Sequence, residues 1–306
     1  MRVLIIVFVI YLIAGWFVYR KCTSHFPEMC PMNLKWDGNY DKIDQKLYPA
    51  IKHRKSIVLP PWKQKIPRVI YQTHERDEIP SGMREAVETI LHVNQTYEYK
   101  YFNAKEAKTF IIDNIGERAG KCYDKLVPGA YKADLFRYCL MYINGGVYID
   151  AGFIAINPLD KVIDPDDEFI SAMDSCKPEY CNGQKGVYNA FICCVPGHPI
   201  MRYAIDKVLD NIERNYYGIC SIAPTGPLVL GEAFKNVTGK DINEETYPRG
   251  IKLLRFYAPT GCLSGVIFSG SDKIFYTKYP FYREELKLYT NQQDYHQMWA
   301  KRQIYE

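Results

Sequence analysis

The sequence predicts an α/β fold in which a mainly parallel central sheet is covered by helices on both faces, with a membrane helix at the N-terminus. Three observations carry the prediction. Short β-branched and aromatic runs alternate with helical patterns from Ile66 to Asp150, the order that builds βαβ units. Tyr131 to Ile143 is apolar almost all the way round, with only Lys132, Asp134 and Arg137 charged, which reads as a buried helix rather than an amphipathic surface one. The run Val147-Tyr148-Ile149 that follows it ends on Asp150, and open α/β sheets bind ligands outside the carboxyl ends of such strands.

Val3 to Tyr19 is uncharged and apolar, bracketed by Arg2 and by Arg20-Lys21, with Trp16, Phe17 and Tyr19 at one end. Roughly 17 to 25 residues cross a bilayer, and aromatic and basic edges anchor a short span. Residues 1–20 are therefore expected to form a transmembrane signal anchor. The alternative is a cleaved signal peptide, whose apolar region is usually shorter and is followed by an A-x-A site not found here. Basic residues are balanced across the run, so the positive-inside rule gives little orientation.

Residues 21–65 are mixed polar and interrupted by Pro27, Pro31, Pro49, Pro60 and Pro61, a stem or wrapping segment. A single domain over residues 66–306 is expected to follow. The chain of 306 residues is 47% hydrophobic with a net charge of +4, enough for a sizeable core and too weakly basic to argue for nucleic acid. Ten cysteines behind an export segment permit disulfides, with Cys22/Cys30 and Cys176/Cys181 as local candidates and free buried thiols as the alternative. Without a C-x-x-C pair, structural zinc is not expected. The sequons at Asn94 and Asn236 occur at a density that chance supplies.

Ile66 to Thr73 reads as the first strand, then Ser81 to Leu91 as a helix with Ser81 as its cap. Tyr97 to Phe102 alternates as a strand, and Asn103 with Glu106 has capping-box spacing for the next helix. Gly145 and Gly146 stop the buried helix because glycine takes positive φ without steric cost. Later strands are expected at Glu168 to Met173, Gly186 to Cys194, Ile251 to Tyr257 and Ile274 to Tyr276. Helices are expected from Pro199 to about Asn211 and from Thr225-Gly226-Pro227 to about Phe234.

Lys132-Ala133-Asp134, Arg137-Tyr138 and Gly145-Gly146-Val147-Tyr148-Ile149-Asp150 resemble, in order and spacing, the signature of the DXD-containing sugar transferases, glycosyltransferase family thirty-two, which includes initiating and ceramide-linked mannosyltransferases and viral enzymes. Ile66-Pro67-Arg68-Val69-Ile70-Tyr71-Gln72-Thr73 is similar to the family's opening motif. The likeness continues through Asn189-Ala190-Phe191, Thr225-Gly226-Pro227 and the tail near His296 and Trp299, about four-fifths of the chain. One position departs: the D-x-D motif reads D-A-G, with Gly152 in place of the second acid.

The resemblance implies a single nucleotide-diphospho-sugar-binding domain of the glycosyltransferase-A, Rossmann-like type. It implies a retaining enzyme that moves a hexose from GDP-mannose or a UDP-hexose to a glycan or glycolipid acceptor. A type II protein, held in the membrane by residues 3–19 with its domain in the ER or Golgi lumen, fits that role. Asp134, Arg137 and Asp150 are then the catalytic residues, and the same three with Tyr71, Thr73 and Asn189 bind the donor. A carboxylate accepts from two hydroxyls at once and a guanidinium donates as a fork. The alternative for Asp134 and Arg137 is a buried i,i+3 salt bridge, and for Asp150 a strand-end turn acid.

Breaking the anomeric bond builds negative charge on the departing diphosphate, which needs a metal or basic side chains beside it. In the family the second acid of D-x-D is the direct Mn²⁺ or Mg²⁺ ligand, and Gly152 has no side chain to offer. Three routes stay open: metal held by Asp150 with His296 from the tail, transfer without metal using Lys278 or Arg283, or weak donor binding. The rival functions are a nucleotide-sugar hydrolase and a catalytically impaired sugar-nucleotide-binding or scaffold protein of the same fold.

Overall fold

The computed structural model describes residues 46–57, 63–174, 181–258, 264–289 and 294–306. The expected anchor at 1–20, the Cys22/Cys30 pair and Cys176 lie outside the described residues. Among the described residues no helix is long and apolar enough to cross a membrane.

Twelve strands and eight α-helices are described. The strands are β1 (Leu47–Pro49), β2 (His53–Arg54), β3 (Val69–Thr73), β4 (Glu78–Pro80), β5 (Glu98–Phe102), β6 (Gly146–Ile149), β7 (Ile154–Ala155), β8 (Phe169–Ala172), β9 (Phe191–Cys194), β10 (Ile251–Tyr257), β11 (Val266–Ser269) and β12 (Asp272–Tyr276). The helices are α1 (Ser81–Val93), α2 (Ala104–Ile115), α3 (Glu117–Lys125), α4 (Gly129–Asn144), α5 (Pro199–Glu213), α6 (Pro227–Thr238), α7 (Tyr282–Tyr289) and α8 (Tyr295–Ala300).

Ten strands form one sheet in the order β2-β5-β3-β6-β9-β8-β10-β11-β12-β7. The pairs β3/β5, β3/β6 and β8/β10 are parallel, and β9 runs antiparallel to both β6 and β8. Strands β5, β3, β6, β8 and β10 therefore share one direction, with β9 inserted in reverse. The expectation of a mostly parallel sheet holds only for this inner set. The outer strands β2, β11, β12 and β7 add antiparallel pairs; the two-residue connection of β11 to β12 allows only a hairpin return, while β2 and β7 join as edge strands from distant parts of the chain. Strand β2 comes from the segment expected to be a stem or wrapper.

The chain leaves β3 for β5 on one side and returns to β6 on the other, so the order reverses between β3 and β6. Asp150 sits at that switch point, where ligand crevices form in open sheets.

Helix α4 is buried as its composition demands: Tyr131, Leu135, Phe136, Tyr138, Cys139, Leu140 and Met141 are each at most 1% exposed. It ends at Gly145 (φ 60°), followed by Gly146 (φ 95°). A Cβ on Gly146 would lie 2.8 Å from the Val69 carbonyl oxygen, so glycine is needed both for the backbone conformation and for the approach of β6 to β3.

Asn103 and Glu106 form the expected capping box. At α1 the expected Ser81 cap gives way to Pro80, which offers no side-chain acceptor. The exposed amide of Gly82 instead donates to Glu285 Oε1 at 3.0 Å, and the Ser81 hydroxyl donates to the same oxygen at 3.3 Å. A helix N-terminus attracts a carboxylate through its unsatisfied N–H groups and dipole, and here α7 of the C-terminal segment supplies it. The expected strand Gly186 to Cys194 shortens to β9, because the chain turns at Asn189 to Ala190 and leaves only an isolated bridge at Val187.

Cys181 pairs with Cys220, with a Cα–Cα distance of 5.5 Å, which corrects the expected Cys176/Cys181 link. The choice of a local partner overlooked that the turn after α5 brings a distant cysteine within reach. Cys122, Cys139, Cys193 and Cys194 are buried thiols.

Gly146→Ala is expected to destabilise the protein by about 2–4 kcal/mol, from positive φ and the carbonyl clash together, measured by urea denaturation. The Cys181–Cys220 link should appear in a non-reducing peptide map. With 39 residues separating the cysteines, Cys220→Ser should cost about 2–4 kcal/mol.

Candidate functional site: a buried arginine between two carboxylates

Three elements meet at Arg137. Helix α4 presents Asp134 and Arg137 on one face, three residues apart as the sequence predicted. Strand β6 delivers Asp150, and the turn before β9 delivers Asn189. Arg137 Nη2 lies 3.5 Å from Asp134 Oδ1 and 3.3 Å from Asp150 Oδ1. Its Nη1 donates to the Asn189 carbonyl at 2.9 Å and its Nε to the Ala133 carbonyl at 3.2 Å. The guanidinium also stands over the Tyr148 ring, 4.7 Å from the centroid. Each nitrogen of the fork is therefore engaged inside the protein, and Arg137 positions the acids rather than reaching outward.

Asp134 is equally occupied. Oδ1 accepts from Asn189 Nδ2 at 2.8 Å, and Oδ2 accepts from the Thr225 hydroxyl at 2.7 Å. Burial raises the Asp134 carboxyl above the usual carboxylate range, with Arg137 and Thr225 pulling it back. Desolvation works against the Arg137 charge, but Asp150 first, then Tyr148 and Asp134, outweigh it and keep the group protonated.

Asp150 differs from both. Its side chain is 27% exposed, against 11% for Asp134 and 6% for Arg137. Oδ1 accepts from the Tyr148 hydroxyl at 3.0 Å as well as facing Arg137. Burial holds the Tyr148 phenol far above its ordinary value, so it remains a donor. Oδ2 has no hydrogen-bond partner among the described residues. The backbone is fixed too: Asp150 N donates to the Ala190 carbonyl at 2.9 Å, and Gln72 Nε2 donates to the Asp150 carbonyl at 3.2 Å. The result is a rigid carboxylate with one oxygen available at the switch point.

Of the other expected residues, Asn189 joins the cluster. Thr73 ends β3 on the same sheet edge, with its hydroxyl donating to the Phe102 carbonyl at 2.8 Å. Tyr71 is not brought to the cluster: it is 3% exposed and packs against Phe102 in the core under α4, with its phenol pushed up to about 12 by burial. His296 lies beside Ser221, its Nδ1 2.6 Å from the hydroxyl oxygen, and burial lowers its pKa. The Ser221 carbonyl accepts from Tyr131 one turn ahead of Asp134. Among the described residues no group of three or more His, Cys, Asp or Glu is disposed to hold a metal ion.

Gly152 is buried, and a Cβ built on it would lie 2.8 Å from Tyr282 Cε2. The space that a second acid would need is filled by an aromatic ring from α7.

Gln72, Tyr148 and Thr225 belong to the cluster without having been assigned a role in it. The sequence held one signal for Thr225, its place in the Thr225-Gly226-Pro227 likeness.

Residues 80–170 match the family described as glycosyltransferase sugar-binding region containing DXD motif. The matched region, similar to the sugar-binding region of DXD-type glycosyltransferases, spans Asp134, Arg137, Asp150 and Gly152. Among its relatives, the mannosyl phosphorylinositol ceramide synthase SUR1 of Saccharomyces cerevisiae is 27% identical over 178 residues, 58% of this chain and 44% of that protein. The inositol phosphoceramide mannosyltransferase 2 of Schizosaccharomyces pombe is 27% identical over 166 residues, 54% of this chain and 45% of that protein. An uncharacterized glycosyltransferase of Acanthamoeba polyphaga mimivirus is 26% identical over 140 residues, 45% of this chain and 53% of that protein. The chain spans about half the length of the curated relatives it matches. Among solved structures, the PaToxG glycosyltransferase aligns with a TM-score of 0.47 at 15% identity, over 57% of this chain and 70% of that one.

Arg137→Leu leaves two carboxylates facing each other in a desolvated site and should cost about 3–5 kcal/mol. The pair Arg137→Leu with Asp134→Asn should recover part of that loss by urea denaturation; a double variant as unstable as the single one would place the cost outside the charge cluster.

Proposed function

We propose that this chain is a hexosyltransferase of the glycosyltransferase-A type, moving a sugar from a nucleoside-diphosphate donor to a glycan or glycolipid acceptor with retention of anomeric configuration. The observation that carries the reading is Asp150: a carboxylate at the switch point, locked by Arg137 and Tyr148, with one oxygen left to accept from hydroxyls of a bound hexose or ribose. The mannosyltransferase names of the relatives favour mannose from GDP-mannose over a UDP-hexose, and their ceramide-linked acceptors favour a glycolipid. The apolar run at residues 3–19 would hold the domain at a membrane. The Cys181–Cys220 disulfide favours an oxidising lumen such as that of the ER or Golgi.

In this mechanism Asp150 grips and orients the donor, and Arg137 and Asn189 hold the acids in register. Retention is read as same-face attack by the acceptor hydroxyl while the diphosphate leaves. Asp134 is not arranged as a covalent nucleophile, since both of its oxygens already accept hydrogen bonds. Mn²⁺ or Mg²⁺ would supply charge neutralisation at the diphosphate. Hard ions want several oxygen ligands, and the residues around Asp150 do not fit one: position 152 is closed by Tyr282 and no ligand group forms among the described residues. No step is routed through a metal. That same closure favours, as a second reading, a protein that binds sugar nucleotides without transferring them.

Asp150→Asn is expected to lower transfer by at least about 100-fold, the scale of a lost electrostatic contact to the reacting sugar, with the melting temperature within a few degrees of wild type. Wild-type donor binding without turnover in an acceptor screen would select the binding protein, and free sugar released regardless of acceptor would select a hydrolase.

A further inference from the structure

Position 152 and the tail segment that closes it point to a replacement for the metal. The Tyr282 ring occupies the space where a side chain at Gly152 would go, with Cε2 at 2.8 Å and Cδ2 at 3.1 Å from a Cβ built there. Over that same ring stands the ammonium of Lys278, 4.1 Å from the centroid. Lys278 is half-buried and makes no ion pair among the described residues. Of the other half-buried lysines, Lys52 pairs with Asp77 and Glu106 and Lys252 with Asp164 and Asp167, whereas Lys132 rests, like Lys278, on an aromatic ring, that of Tyr123.

A partly desolvated cation with no counter-ion is a poor arrangement for stability and a suitable one for receiving an anion. Its setting is fixed on both sides. Lys278 N donates to the Ser264 hydroxyl at 3.1 Å and Thr277 N to the Gly265 carbonyl at 2.9 Å. Four residues beyond Tyr282, the Leu286 position flanks Glu285, whose carboxylate is clasped by the N-terminus of α1. The aromatic face holds the ammonium by cation–π attraction.

We propose that Lys278, seated on Tyr282, binds the donor diphosphate in the place where the D-x-D motif would otherwise assemble a metal. The assignment rests on the sugar-nucleotide reading above and extends it: charge that a metal would neutralise on the departing diphosphate is met by a preorganised ammonium. Lysine serves this purpose as a point charge. Gly152 is then matched to the tail rather than merely lost, since a side chain there would displace the ring that seats Lys278.

The test is titration calorimetry of the full chain with UDP, UMP, GDP and GMP in EDTA. Wild type is expected to bind one of the two diphosphates without metal, and more tightly than its monophosphate. Lys278→Gln should weaken that diphosphate about 10- to 100-fold, the scale of a charge-assisted contact, while changing the monophosphate by less than about threefold. Lys278→Arg should restore most of the difference, and Tyr282→Leu should give a smaller loss with the same split. An unaltered diphosphate affinity in Lys278→Gln, or wild-type binding that requires added Mn²⁺, overturns the assignment while leaving the sugar-nucleotide reading in place. Wild type that binds neither UDP nor GDP, with EDTA or with Mn²⁺, removes that reading itself. An unchanged thermal melt for Lys278→Gln separates lost binding from lost folding.

Discussion

A guanidinium sealed between two carboxylates organises this molecule. Arg137 is 6% exposed, and charge at that depth is tolerated only when its partners are close and its donors are satisfied. Meeting that requirement fixes three elements at once: the register of α4, the end of β6 and the turn before β9. The buried tyrosines Tyr138 and Tyr148 follow from the same need, because each places an apolar ring against the cluster and a hydroxyl within it. Tyr138 donates to the Gly226 carbonyl and receives Asn189, while Tyr148 serves Asp150. A cluster built this way has little freedom to adapt to a ligand. Its one open acceptor is held where the sheet brings it.

The portion of this that could be read from the sequence is the portion with local causes. An apolar helix, two glycines and a three-residue strand ending on an acid are contiguous, and their periodicities and turn chemistry gave the elements, while the grouping of Asp134, Arg137 and Asp150 came from the likeness to the sugar-transferase signature. Asn103 and Glu106 likewise announced their cap by spacing alone. What was missed depends on contacts across the chain. Nothing near Ser81 indicates that Glu285, two hundred residues later, would serve the α1 N-terminus. The reversed direction of β9 goes with its antiparallel pairing to β8, and the turn at Asn189 and Ala190 just before it places Asn189 beside Asp134. Tyr71 was expected to bind the donor because its strand is similar to the family's opening motif. Tyr71 shares the α4-covered face with its β6 neighbour Tyr148, but its ring packs against Phe102 in the core rather than beside Asp150.

Position 152 shows how a motif departure gains meaning only in three dimensions. In one dimension Gly152 is an absence, a ligand that the pattern asks for and the chain does not supply. In the fold it is a fitted surface, since Tyr282 lies against it and Lys278 lies on Tyr282. Simple loss of an acid would leave a gap beside Asp150. The packing found there instead joins the motif to the C-terminal segment, and an acid at 152 would conflict with it.

The same segment is fastened at two further points, and these explain why it can influence the site at all. Glu285 ties α7 to the start of α1, and His296 meets Ser221, whose carbonyl is held by Tyr131 at the head of α4. Arg283 lies close enough to His296 to help depress its pKa after burial and against Asp294. The tail therefore touches both the helix that carries Asp134 and Arg137 and the N-terminus of α1. Lys278 lies between the attachments that it and Thr277 make to Ser264 and Gly265 and the Glu285 tie, so it cannot shift far without breaking one of them. For a cation meant to meet a diphosphate, that constraint is useful: preorganised charge spends no reorganisation when the ligand's own charge develops, whereas a lysine on a free loop would lose side-chain and backbone entropy each time it bound.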